Sequence, residues 1–234
     1  MTGGRRKLLE DWIDSYLRAR SPLDVDPILA ALSAYGRVET NVDASTHDLQ
    51  EIVAISTSRR KARLSVGCDM LRDLTRTHQA AREAVIAMSE SSHAGVRFNA
   101  LVALGPETPT DLVDALVIRG LCDRSVRVRA KAADRSLWLR ARWLAPKLAE
   151  AVHCEGHAAT RVNLELCRAL LADGFVVSRE SSGRAWVTAL DSTGLVSAWF
   201  EAGRSQAGAI EAFVADAREL ARRECDLTAS PSSS

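Results

Sequence analysis

The chain is poor in aromatic residues, which make up 5% of its 234 positions. That argues against a β-sandwich, whose strands favour aromatic and β-branched side chains. It carries almost no net charge, +1 at neutral pH, so no global basic field marks a nucleic-acid partner, and any such case rests on local patches. Its five cysteines, Cys68, Cys122, Cys154, Cys167 and Cys225, are irregularly spaced and include no Cys-x-x-Cys pair, which removes the common zinc and redox frameworks. Free cysteines in helical proteins pack as small hydrophobes in a reducing compartment, so the expected location is cytoplasmic. No stretch approaches the roughly 20 apolar residues that span a bilayer, so no membrane partner is expected. No GxSxG, P-loop, GxGxxG, HExxH or kinase motif occurs, and no catalytic residue, metal or cofactor is assigned.

Alanine, leucine, valine and arginine dominate instead, a composition suited to close-packed helices. At the N-terminus, Leu8, Leu9, Trp12, Ile13, Tyr16 and Leu17 have helical spacing over residues 5–19. Glu10, Asp11 and Asp14 interrupt the apolar run, so this is an amphipathic helix rather than a signal peptide. Ser21-Pro22 breaks it. A helix near 26–36 ends at Gly36, and the polar stretch 37–48 is expected to be a loop. Helix pairs then follow at 48–56 with 59–76, 79–91 with 94–104, 109–120 with 124–140, and 142–153 with 158–172. In the third pair Thr108-Pro109 supplies a cap and a first-turn proline. Val126, Ala130, Ala133 and Leu137 are the expected buried face of its second helix.

Arg63, Arg97, Arg127 and Arg161 recur at spacings of 34, 30 and 34 residues, a period typical of stacked helical repeats. Asp123-Arg124-Ser125-Val126-Arg127, followed by Ala130 and Ala133, resembles the inner part of a HEAT repeat. Ser92-His93-Ala94-Gly95-Val96-Arg97 with Ala100 and Ala103 is a second copy. Gly156-His157-Ala158-Ala159-Thr160-Arg161 with Leu164 and Cys167, and Lys61-Ala62-Arg63 with Val66, are looser copies. Only the copy at Asp123 keeps the family's acidic residue. The resemblance covers residues 50–172 and implies a mostly α fold: a right-handed α-solenoid of stacked antiparallel helix pairs. A small C-terminal three-stranded antiparallel sheet plus helix follows. The expected organisation is a HEAT-like helical repeat domain over 1–173, a β-meander plus helix capping it over 174–224, and a disordered tail over 225–234.

The meander is read from Phe175–Arg179, Arg184–Leu190 and Leu195–Phe200, separated by the turn sequences Glu180-Ser181-Ser182-Gly183 and Asp191-Ser192-Thr193-Gly194. The last helix, about 205–223, carries Ile210, Phe213, Val214, Ala217 and Leu220 on one side. The order of elements over 158–223 is similar to that of double-stranded-RNA-binding domains. Their second helix opens with a lysine-rich turn, whereas Gly203-Arg204-Ser205-Gln206-Ala207 holds one basic residue.

Residues 123–142 contain seven Lys/Arg against Asp123 and Asp134. A second basic cluster, Arg59-Arg60-Lys61-Arg63, opens an earlier inner helix. In HEAT-type repeats the periodic arginine braces a neighbouring repeat, which is the role expected of Arg63, Arg97, Arg127 and Arg161. Arg127, Lys131 and Arg135 also share one helical stripe. The candidate partner-binding residues are Arg124, Arg127, Arg129, Lys131 and Arg135, each either a contact or part of a solvated face. Trp138, Trp143, Trp186 and Trp199 are core by default, with Trp186 and Trp199 placed to pair across strands. His153-Cys154-Glu155-Gly156-His157 has the look of a metal site but lacks a second ligand pair.

These features point to a non-enzymatic scaffold or inhibitor binding a protein with an acidic surface through a basic concave face. An adaptor fits, as does an immunity protein neutralising a toxin. The alternative is a nucleic-acid-binding HEAT-like protein. Some such solenoids are DNA glycosylases with a catalytic Asp among aromatic residues, for which Asp134 near Trp138 is the nearest counterpart here.

Overall fold

The computed structural model describes residues 22–40, 46–191 and 194–228, and it is mostly helical with one small three-stranded antiparallel sheet near the C-terminus. The expected helix at 5–19 and the tail at 229–234 lie outside the described residues. No helix among those described is long and apolar enough to cross a membrane. The chain divides into two compact units, Met1–Leu116 and Val117–Ser234.

The first unit holds α1 (Pro22–Thr40), α2 (Thr46–Ser56), α3 (Lys61–Leu74), α4 (Gln79–Ser89), α5 (Ala94–Val102) and the start of α6 (Thr110–Leu121). Helix α1 does not stop at Gly36 as expected. Ile28, Ala31, Ala34, Tyr35 and Val38 are buried at helical spacing, and the stripe carries the helix past the glycine to Thr40. Packing against α2 and α3 outweighs the ~1 kcal/mol that a helical glycine costs. Arg37 Nε donates to Asp48 Oδ1 (2.9 Å), and Tyr35 donates its hydroxyl proton to Asp73 on α3. The expected 37–48 loop is therefore shorter at both ends, with 41–45 outside the described residues.

Ile52, Met70, Leu71, Leu74, Leu101 and Leu104 form this unit's core. Gly67 lets α3 lie against the end of α2. A Cβ there would sit 2.4 Å from Ser56 N and 2.7 Å from Ser56 Cα. Asn99 Nδ2 donates to Ser56 O (2.9 Å), tying α5 to the same point.

The second unit continues with α7 (Val126–Trp138), a 3-10 turn (Arg142–Leu144), α8 (Ala145–Cys154) and α9 (Ala158–Asp173). The single helix expected at 142–153 is thus a turn followed by α8. Arg140, in the left-handed region at φ 54°, reverses the chain after α7, and Ala141 N donates back to Ser136 O (2.9 Å). The buried residues of α7 are Val128, Ala132, Ala133 and Ser136, not the expected Val126, Ala130, Ala133 and Leu137. The helix is turned by about one residue's rotation, with only Ala133 common to both faces.

Gly174, at φ 83°, caps α9 in the left-handed conformation that favours glycine and delivers the chain into the sheet. Strands β1 (Phe175–Arg179), β2 (Ala185–Leu190) and β3 (Leu195–Phe200) pair in the order β1-β2-β3. Helix α10 (Gln206–Thr228) covers one sheet face. Ala185, Val187, Ile210 and Val214 form a small core there, with Phe175, Val177, Phe200 and Phe213 packed around it. Residues 225–228, expected in the tail, complete α10.

Candidate protein-binding face

The turns that precede the second helix of each pair share one construction. The helix N-caps are Arg60, His93, Ser125 and His157, spaced 33, 32 and 32 residues apart (60 to 93, 93 to 125, 125 to 157). Two residues before each cap, a side-chain oxygen accepts the cap's backbone N–H. Ser58 Oγ takes Arg60 N (3.2 Å), Ser91 Oγ takes His93 N (3.2 Å), Asp123 Oδ1 takes Ser125 N (2.7 Å) and Glu155 Oε1 takes His157 N (2.8 Å). In the last three copies an arginine four residues past the cap reaches back to that residue's carbonyl. Arg97 Nη1 donates to Ser91 O (2.9 Å), Arg129 Nη1 to Asp123 O (2.8 Å) and Arg161 Nε to Glu155 O (2.8 Å). A guanidinium suits this position because its forked donors satisfy turn carbonyls that no helix bond can reach.

This register corrects the periodicity read from the sequence. The repeating arginine of the third pair is Arg129, not Arg127, and Leu64 rather than Arg63 holds the first equivalent position. The segment Val126-Arg127-Val128-Arg129 contains the Val-Arg dipeptide twice; the second copy is in register with Val96-Arg97. Glu155 stands where Asp123 does, so the acidic position recurs in two turns.

Arg129 is wholly engaged within the chain. Its Nε and Nη2 donate to Glu155 Oε2 (2.6 Å) and Oε1 (2.8 Å), and its Nη1 takes the Asp123 carbonyl. The Glu155 side chain is 1% exposed. The Arg129 guanidinium, helped by the His157 backbone N–H and opposed by burial, holds the Glu155 carboxyl down at about 2.

Arg127, Lys131 and Arg135 lie on the opposite side of α7 from Arg129. Arg127 is exposed, Lys131 and Arg135 are half-buried, and Arg124 is exposed in the turn before the helix. Lys131 Nζ is 3.5 Å from Asp134 Oδ2. The Arg135 guanidinium lies over the Trp138 ring, 4.4 Å from its centroid. Trp138 is 49% exposed and Trp143 51%. Neither is a core residue as first expected, because each follows the end of the α7 apolar stripe rather than lying within it. From α9, Asn163 Nδ2 donates to Asp134 Oδ1 (3.0 Å) and links the two helices. Its neighbour Val162 and, one turn on, Leu166 are also exposed. Positive charge, the Trp138 indole and aliphatic groups of α9 are thus exposed around Asp134, which is bonded into this surface rather than held in an enclosed cleft.

His157 Nδ1 accepts the Thr160 N–H (3.3 Å) as the α9 cap, Glu155 binds Arg129, and His153 is exposed. A groove of about 540 Å³ is lined by Ile118, Leu121, the exposed thiols of Cys122 and Cys154, and the Arg129–Glu155 pair. Nothing in the sequence singled it out, because its walls come from separate helices. On the sheet, Trp186 and Trp199 face each other across β2 and β3, with ring centroids 4.9 Å apart. Comparison with protein-family models, with curated proteins and with solved structures returns no match.

Proposed function

We propose that this protein is a non-enzymatic binding module that takes an acidic protein surface on the α7–α9 face. The contacts are Arg124, Arg127, Lys131 and Arg135, anchored by Trp138. Arg129 leaves the set because Nε, Nη1 and Nη2 are all used within the chain. The observation that carries the reading is Trp138, half exposed beneath the Arg135 guanidinium. Tryptophan and arginine are enriched in binding hot spots, tryptophan because it offers a large contact area at low entropic cost and arginine because its planar fork gives several directed hydrogen bonds. Surrounding cations steer an acidic partner and set its orientation.

Capture from native lysate with the wild-type chain, Trp138→Ala and the triple variant Arg127→Glu, Lys131→Glu, Arg135→Glu tests this. A partner held by the wild type and lost by both variants supports the reading, provided that both keep the wild-type circular dichroism. Capture that survives both variants places the interface elsewhere. Binding of duplex DNA that weakens steeply with added salt would replace the protein partner by a nucleic acid.

A further inference from the structure

Strand β3 is the open edge of the sheet, and no further strand pairs with it among the described residues. Its sequence, Leu-Val-Ser-Ala-Trp-Phe, contains no charge, proline or glycine. Natural edge strands are commonly blunted by such residues, by bulges or by a covering element, because the unpaired amides and carbonyls otherwise recruit another strand.

The hydrogen-bond register shows which groups face outward. Leu190 N donates to Gly174 O (2.8 Å), on the β1 side, while Asp191 N donates to Gly194 O (3.0 Å), on the β3 side. Alternation along an antiparallel ladder then directs residues 185, 187 and 189 of β2 toward their partners 200, 198 and 196. The N–H and C=O groups of Leu195, Ser197 and Trp199 are left pointing to the open edge. The same three residues carry the exposed side chains of β3, with Leu195 53% and Trp199 47% exposed. Trp199 is braced from below: its ring meets Trp186, and the Arg184 guanidinium lies 4.7 Å from its centroid while pairing with Glu201 (3.1 Å).

We propose that β3 pairs antiparallel with β3 of a second copy of this chain, about a two-fold axis at Ser197. The strand is complementary to itself in this register. Ser197 meets Ser197 of the other copy, and Leu195 meets Trp199, so every outward amide finds a carbonyl. The two half-exposed apolar side chains cover one another on one face. No like charges oppose each other along the strand, and the arrangement is an isologous, closed dimer that extends the sheet from three strands to twice that number. One short strand from each copy is at the small end of specific interfaces, so the dimer is weak and forms with rising concentration.

Sedimentation equilibrium from micromolar to near-millimolar concentration tests this. The wild-type mass rises toward twice that of the chain. Ser197→Lys places two ammonium groups face to face at the axis and weakens association by about tenfold or more. Ser197 is exposed and its one described side-chain bond, with Thr188 Oγ1 (3.0 Å), faces solvent, so the variant stays folded with a melting temperature within a few degrees of the wild type. Ser197→Glu alone is likewise monomeric, and an equimolar mixture of the Lys and Glu variants associates again. A wild type that stays monomeric throughout the range overturns the proposal, as does a dimer that is indifferent to both substitutions. Uptake of an added extended peptide by a wild type that does not self-associate would assign the edge to a foreign strand and overturn it too.

Discussion

Arg129 on α7 closes two hydrogen bonds on the Glu155 carboxylate, at 2.6 and 2.8 Å, and a third on the Asp123 carbonyl, at 2.8 Å. One side chain thereby joins the turns before α7 and α9. Arg129→Ala leaves Glu155 buried and unpaired, and is expected to cost about 3 kcal/mol by urea denaturation. Arg129→Lys recovers only part of this, because an ammonium cannot reproduce the fork. Arg127→Ala, two residues away and exposed, should cost less than about 1 kcal/mol. Equal losses at both positions would show the register assigned to the repeat to be wrong.

The same pair makes stability depend on pH. The Glu155 carboxyl is lowered in the folded chain from its ordinary 4.5 to about 2. The folded state therefore binds fewer protons than the unfolded one in this interval. Its contribution is fully present above about 4.5 and is lost as the pH falls toward 2. Denaturation midpoints measured across that window should fall less steeply for Glu155→Gln than for the wild type. Identical slopes would exclude Glu155 as the titrating group.

Two glycines should respond in opposite ways. Gly67→Ala drives a Cβ into the Ser56 backbone and is expected to cost about 1–3 kcal/mol. Gly95→Ala meets nothing within 4 Å in the first turn of α5 and should stabilise by about 0.5–1 kcal/mol. Thermal melts of the two variants check this.

The thiols should divide by accessibility. Cys122 and Cys154 are exposed, whereas Cys68 and Cys167 are buried, and burial pushes the Cys167 thiol up to about 12. Alkylation followed by mass spectrometry should label Cys122 and Cys154 in the native protein. Cys68 and Cys167 should be labelled only after unfolding, because burial keeps the reagent from both and disfavours the reactive thiolate at Cys167.

Trp138→Ala should change stability by less than about 1 kcal/mol, since the indole is half solvated and lies on the exposed side of α7 beside the Arg135 guanidinium. A larger loss, read by urea denaturation, would mark Trp138 as a structural residue rather than a binding anchor.

Much of the secondary structure was legible. The strands at 175–179 and 195–200 match their expected bounds, and the third pair of helices matches to within two residues at each end. Those segments carry strong local signals: turn residues between short β-rich runs, or a proline and an acidic residue at a helix start. Legibility failed where two local signals competed. Gly36 reads as a helix stop, but the buried stripe from Ile28 to Val38 overrides it. Val126-Arg127 and Val128-Arg129 are the same dipeptide, and only the carbonyl of Asp123 and the carboxylate of Glu155 distinguish them. Glu155 does the work of Asp123 in a segment, Glu155-Gly156-His157, that shares no residue with Asp123-Arg124-Ser125, so no local motif links the two.

By itself the sequence determined a mostly helical chain with a C-terminal meander and helix, since apolar periodicity and turn chemistry act within a few residues. It also concentrated basic charge in residues 123–142. Tertiary structure decided which side of α7 is buried, and so which arginine is structural and which are displayed. That choice depends on groups 26 residues apart, as between Arg129 and Glu155. It likewise decided that Trp138, Trp143 and Trp199 reach solvent, and that β3 has no further strand beside it among the described residues. A residue's neighbours along the chain constrain its backbone; only packing against distant elements settles what its side chain meets.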